Sequence, residues 1–345
     1  MSNNPKHKQD KRPTLADVAK LAGVSLGSAS RALSVPDQLR PDTLAKVKQA
    51  VNKLGYIPHG AARALASRRT NMVAALYPTL NNPIFARSTH SMQKTLWKYG
   101  YQLLLTSHEY QIDDELAVIR SVVERGVDGV IMIGTDHSDE LFSMLHRYEV
   151  PYVLTWSVDD SDYPYCVGIS NFDSAYQIAE LVLSYGHSKV GICGGPIERN
   201  ERARGRRNGV IAAAKNKGIE IPDKWIIEQP FSYEGGRQAM REFYNMDDAP
   251  TAIFFGTDIL AMGALDECRK LNVKVPEQVS IIGFDGSEES GMTSPSLTTI
   301  ALPAHEIGHR AAELMLQLIN EDDIPPEPPM PATILKRKSL GKAPH

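Results

Sequence analysis

Cysteine is scarce in this sequence. Three occur in 345 residues, Cys166, Cys193 and Cys268, an odd number with no paired spacing. That argues against a disulfide scaffold and for a reducing compartment. Long apolar runs are missing too: none approaches the roughly 18 residues needed to span a bilayer. The opening MSNNPKHKQDKRP is charged and has no apolar stretch behind it, unlike a secretory signal. These absences lead to the expectation of a cytoplasmic protein with no membrane partner. There is no dinucleotide fingerprint, because GICGGP (191–196) does not fit G-x-G-x-x-G. Ser, His and Asp show no catalytic spacing, and no long repeat or heptad is present. What remains is ordinary globular composition, 42% hydrophobic and 23% charged. The length suits two or three domains, with cores large enough to need neither disulfide nor structural metal.

The net charge of −3 hides an asymmetry. Residues 1–70 carry 13 Lys and Arg against 4 Asp and Glu, a balance of +9, and the remainder carries −12. A basic head on an acidic body fits contact with a polyanion, and a solvated basic tail is the plain alternative. The local pattern favours the first. In TLADVAKLAGVSLGSASRALS (14–34), Thr14 and Asp17 form a capping-box-like start, and Leu15, Val18, Ala19 and Ala22 share a helical face. Gly23 suits a left-handed helix end and Ser25 caps a second helix. Val24, Ala29 and Leu33 are expected to point inward; Leu26, Gly27, Ser28, Ser30 and Arg31 face outward or flank that face. A third helix fits Asp42 to Leu54. Helix, glycine turn, helix and support is the helix-turn-helix plan. Its second helix is small enough to enter a major groove, where Arg31 can bond a phosphate or a guanine edge.

At these residues the chain resembles the LacI/GalR family of bacterial transcription regulators. The match holds at Thr14, Asp17, Val18, Ala19, Ala22, Gly23, Val24, Ser25, Ser30, Arg31 and Leu33, and departs at Ser28 and Ala29, where Thr and Val are usual. The resemblance makes Thr14, Ser25, Leu26, Gly27, Ser28, Ser30 and Arg31 the expected DNA contacts. Leu26 and Gly27 occupy the base-choosing positions; neither can form bidentate contacts, so thymine methyls and groove shape carry much of the reading. LGYIPHGAARALASRRTN (54–71) resembles the family's linker, whose short helix forms on the operator. The resemblance assigns Leu65 as a wedge between base pairs, with Ala62 beside it and His59 in place of the usual Asn.

From Met72 onward short apolar runs alternate with amphipathic stretches. Runs fall near Met72–Tyr77, Gln102–Thr106, Gly129–Ile133, Pro151–Thr155, Val167–Ile169, Val190–Cys193, Thr251–Phe255 and Val279–Phe284. This spacing implies parallel sheets with right-handed crossovers, in two doubly wound lobes flanking a cleft. The resemblance continues through PTLNNPIFA (78–86), RRNGVIAA (206–213), TAIFFGTDILAMGAL (251–265), VPEQVSIIGFDG (275–286) and SPSLTTI (294–300). It implies an α/β fold: an N-terminal all-α helix-turn-helix head plus a periplasmic-binding-protein-like body. The expected division is a basic tail (1–12), the head (13–57), a linker (58–71) and the body (72–345). Within the body, one lobe spans about 72–170 and 301–330, the other about 171–300 and 331–340.

The resemblance places Arg206 and Asp258 against a small polyhydroxylated or charged effector. Phe231 would pack on its apolar face, and Asn82 and Phe85 would line the opposite lobe. Ser170–Asn171 and Thr257 depart from the family's Asp-Asn and Asn, which alters the polar contacts. DECRKLNVKVP (266–276) looks most like the gluconate-repressor branch, making a sugar or sugar acid the expected effector. HEIGH (305–309) fits the zinc-protease pattern H-E-x-x-H, but Ala312 stands where one extended form of that pattern needs glycine. It falls on a helix expected to be exposed and variable. The expectation is therefore a homodimeric, operator-binding repressor of pseudo-palindromic double-stranded DNA, nucleoid-associated when bound, with no cofactor, metal or catalytic residue. A solute-binding receptor without DNA function is the rival reading.

Overall fold

The computed structural model describes residues 12–35, 38–57, 69–158, 164–322, 324–325 and 328–344. The chain divides into two compact units, residues 1–71 and residues 72–345.

In the first unit, α1 (Leu15–Ala22), α2 (Leu26–Ser34) and α3 (Pro41–Leu54) pack on one another. Thr14 and Asp17 make the capping box, so two orphan N–H groups at the start of α1 are satisfied. Gly23 ends α1 at φ 67°, a left-handed conformation that only glycine adopts cheaply, and it turns the chain directly into α2. The core consists of Val18, Ala32, Val47 and Ala50, with Val24, Leu44, Val51 and Leu54 packed around it. Ala29 is fully buried as expected, but Val24 and Leu33 are only half-buried and Ala32 takes the deeper place. Small residues at 29 and 32 let the helix axes approach closely.

The second unit holds two parallel sheets. The first runs β2–β1–β3–β4–β5, built from β1 (Met72–Tyr77), β2 (Gln102–Ser107), β3 (Gly129–Ile133), β4 (Tyr152–Thr155) and β5 (Cys166–Val167). Its helices are α4 (Ile84–Lys98), α5 (Ile112–Glu124) and α6 (Asp139–Arg147). β1 and β3 are buried almost throughout, which explains their unbroken apolar sequences; the edge strand β2 is half-exposed. α7 (Asn171–Ser184) leads to β6 (Val190–Gly194), and α8 (Glu201–Asn216) to β7 (Ile226–Glu228). α9 (Tyr233–Tyr244), β8 (Ala252–Phe255), α10 (Asp258–Lys270) and β9 (Ser280–Ile282) complete the second sheet, ordered β7–β6–β8–β9.

After α11 (Glu288–Met292), β10 (Thr299–Ala301) pairs antiparallel with β11 (Thr333–Leu335). Between them α12 (Ala304–Ile319) returns to pack on α4, β3 and β4 of the first sheet. Strand order reverses between β1 and β3 in one sheet and between β6 and β8 in the other, the switch points beyond which ligands bind. α7 and α8 pack closely because Gly209 lies against the backbone oxygen of Phe172, where no Cβ would fit. HEIGH lies on α12. His305 and His309 are exposed, and His309 Nδ1 is 2.9 Å from the Thr95 hydroxyl. No helix among the described residues is long and apolar enough to cross a membrane.

Candidate functional site

In the first unit, the N-terminal end of α2 is the presented surface. Ser25 caps it, its hydroxyl accepting the Ser28 N–H at 3.1 Å. The Thr14 hydroxyl is likewise committed to Asp17, to which it donates at 2.7 Å. These two residues hold the helix starts, while Leu26 (54% exposed) and Gly27 stand clear of the core. Arg31 is exposed, with Nε donating to the Gly27 carbonyl at 3.3 Å, so the guanidinium is drawn along the helix toward its N-terminus. Ser28 and Ser30 are half-buried beside it. Helix N–H groups and a nearby guanidinium together suit phosphate oxygens and base edges. His59, Ala62 and Leu65 lie outside the described residues.

In the second unit, a cleft of about 640 Å³ opens at the carboxyl ends of the strands. Asn82, Phe85, Arg206 and Phe231 all line it. The loop after β1 supplies Asn82, whose Oδ1 accepts the Ile84 N–H at 3.1 Å and starts α4. Phe85 then meets Trp156 edge-on at 5.2 Å between centroids. From the other lobe Phe231 packs on Gly195 and against Tyr110, with centroids 5.4 Å apart. Aromatic faces on two sides suit the apolar face of a flat or ring-shaped ligand.

Asp258 does not line the cleft. It opens α10 and turns inward, where Oδ1 accepts the Thr299 hydroxyl at 2.5 Å and Oδ2 accepts the Ser287 N–H at 2.7 Å. Both oxygens are therefore committed to the lobe's own framework. The carboxylate in the cleft is Asp285, just beyond β9, with its carboxyl 3.8 Å from Arg206 Nη1. Burial pushes that carboxyl up to about 8, against the opposing pull of the Arg206 charge. Burial also draws Arg206 down, to about 10.

Arg206 is aimed by three neighbours. Nε donates to Asn171 Oδ1 at 2.9 Å, Nη1 donates to the Gly256 carbonyl at 2.6 Å, and the guanidinium lies 4.1 Å over the Phe284 ring. Asn171 is itself fixed, donating to the Trp156 carbonyl at 3.0 Å. The Asn that follows Ser170 thus acts as the positioner of the arginine. Arg202 and Arg207 also line the cleft. Aromatic planes suit a ring, and guanidinium forks suit carboxylate or hydroxyl oxygens.

Asp285, Tyr110, Trp156, Asn200 and Arg202 line the cleft without a shared residue pattern that marks them as lining residues. Their shared signal is position, since each sits in a loop or helix start just beyond a strand's carboxyl end. For Asp285 the local sequence GFDG was the available cue.

Residues 14–59 match the family described as bacterial regulatory proteins, lacI family, and residues 179–340 match the periplasmic binding protein-like domain. The chain is 30% identical over 334 residues to the HTH-type transcriptional repressor PurR of Photorhabdus laumondii, spanning 96% of this chain and 98% of that protein. Among solved structures, a LacI-family transcriptional regulator from Silicibacter pomeroyi is similar at a TM-score of 0.83 and 27% identity, over 96% of this chain and 100% of that one. The transcriptional regulator CelR, in a complex with cellobiose, is similar at a TM-score of 0.69 and 28% identity, over 95% of this chain and 100% of that one.

Proposed function

The chain belongs to the lacI family of bacterial regulatory proteins, and from that premise we propose that it is a homodimeric repressor whose grip on a pseudo-palindromic operator is set by a sugar or sugar acid held in the cleft. It is a DNA-binding transcription regulator and not an enzyme. The observation that carries the proposal is the aimed Arg206 opposite Asp285, between aromatic walls, in a chain whose first unit presents a capped helix start with Arg31. Arg202, Arg206 and Arg207 line the cleft with Asp285 as the one acidic residue of the described lining; Glu201 lies 3.7 Å from Arg202 and Glu228 4.0 Å from Arg207, and the three guanidiniums at the wall support an anionic effector of the sugar-acid kind.

Under this reading Thr14, Ser25, Leu26, Gly27, Ser28, Ser30 and Arg31 meet the duplex, and Leu65 wedges the central base step with Ala62 and His59 beside it. Effector binding shifts a two-state equilibrium of the body that governs the linkers, a coupling typically of about 1–3 kcal/mol. A gel shift of the full chain against duplexes from upstream of neighbouring genes, with and without gluconate and simple sugars, tests it. Specific retardation that one of these ligands strengthens or weakens is the expected result. Indifference to every duplex in moderate salt refutes it. Leu65→Ala should weaken specific binding more than non-specific binding; an equal loss removes the wedge.

A further inference from the structure

A second space adjoins the aromatic cleft. Pro78, Tyr110, Asn200 and Arg202 line both, so the two are compartments of one opening. The second is an open space of about 710 Å³, continuous with solvent. Its walls come from the ends of β2 and β3 and from the loop leading into α8, and their chemistry differs sharply from that of the first. Four carboxylates, on Glu115, Asp136, Glu198 and Glu201, face two guanidiniums, on Arg199 and Arg202. A second anion placed there would meet net negative charge.

Part of this wall is already satisfied. His137 Nδ1 sits 2.6 Å from Glu115 Oε1, and Arg204 donates to Asp136 at 2.6 Å. Two buried atoms are less well met: His108 Nδ1 and Glu201 Oε1 have no hydrogen-bond partner, and Glu201 Oε1 has only Arg202 Nε beside it, at 3.7 Å. Burial pulls His108 below the usual imidazole range, so at neutral pH the ring is uncharged, one nitrogen donating and the other accepting. Buried polar atoms without partners are unfavourable, and a hydroxyl, which both donates and accepts, suits an imidazole and a carboxylate alike. The first compartment offers stacking faces and positive charge; the second offers mixed, unmet hydrogen-bonding capacity.

Resting on the reading of the cleft as an effector site, we propose that the ligand has two units: a sugar or sugar acid between the aromatic walls near Arg206, and a neutral glycosyl unit in the second compartment, bonded by His108, Glu201 and Arg202. The chemical class is a disaccharide or an aldobionic acid rather than a lone monosaccharide.

Isothermal titration of the full chain with two matched pairs tests this: gluconate against lactobionate, and glucose against cellobiose. In the pair that binds, the two-unit probe should bind about tenfold more tightly than its parent, as one or two net hydrogen bonds supply. His108→Ala and Glu201→Gln should each collapse that ratio toward one. Equal affinity within a pair overturns the proposal, as does loss of both members by one common factor in both variants. If none of the four binds, the proposal falls. A thermal-shift panel of purines, amino acids and other sugars then decides the underlying reading. A hit abolished by Arg206→Ala keeps the effector cleft; no hit removes that as well.

Discussion

The head closes on two valines and two alanines, whereas the body buries whole strands on both faces, together with Phe243, Phe255 and Phe284. A fully buried aliphatic or aromatic side chain contributes roughly 1.5–3 kcal/mol, so the body has a large reserve and the head a small one. The head compensates with local devices: a capping box, the Ser25 cap and left-handed glycines at helix ends. The surface proposed to meet the duplex lies outside its core. The body's cleft is inside, lined by side chains that also belong to its core, such as Phe85 and Phe254. Removing a core residue should therefore hurt the head's folding first, and removing a site residue should hurt the body's folding as well as its binding.

The sharpest test is Arg206→Ala. It leaves Asp285 buried without its partner and should cost about 3–5 kcal/mol of body stability at pH 9, where that carboxyl is charged, along with the effector response. The loss should be smaller at pH 6 than at pH 9, because a carboxyl pushed up to about 8 carries a proton at the lower pH and no longer needs a counter-charge. Denaturant titrations at the two pH values check this, and an equal loss at both breaks the argument. Val47→Ala opens a cavity in the head's small core and should cost about 2–3 kcal/mol, seen by calorimetry as a lower head transition with the body transition unmoved. Arg31→Ala should weaken operator binding by about 1–3 kcal/mol without moving either melting transition. Thr14→Ala removes the capping box and should lower head stability by about 1 kcal/mol.

The smallest effect concerns His187, which burial pulls below its usual range while it contacts Thr251, Ser280 and the Gly341 carbonyl. The unfolded chain takes up this proton near pH 6.5 and the folded chain only at lower pH. Body stability should therefore fall as pH drops below about 6.5, and His187→Gln should flatten that slope in a series of melts.

Much of this comparison could be read from residues alone. Parallel strands buried on both faces write themselves as apolar runs, so β1 and β3 stand at their expected bounds, and the head's turn is written by Gly23 and Ser25. The short strands β7 and β10 escaped, because three residues give no period. The cleft was less legible for a topological reason. Its walls come from loops beyond strands far apart in sequence, and two aspartates, Asp258 and Asp285, both follow strands. Which carboxyl faces the ligand depends on backbone direction. Asp285 sits at φ 126°, while Asp258 enters a helix and bonds inward to Thr299. No spacing rule distinguishes them.

The tight seam at Gly209 reaches further than packing. Asn171 begins one of the two helices it joins and Arg206 sits on the other, so the distance between those helices sets the angle at which the guanidinium is offered. A methyl group at that seam would force the two helices apart and swing the guanidinium from behind, at a point outside the proposed ligand site.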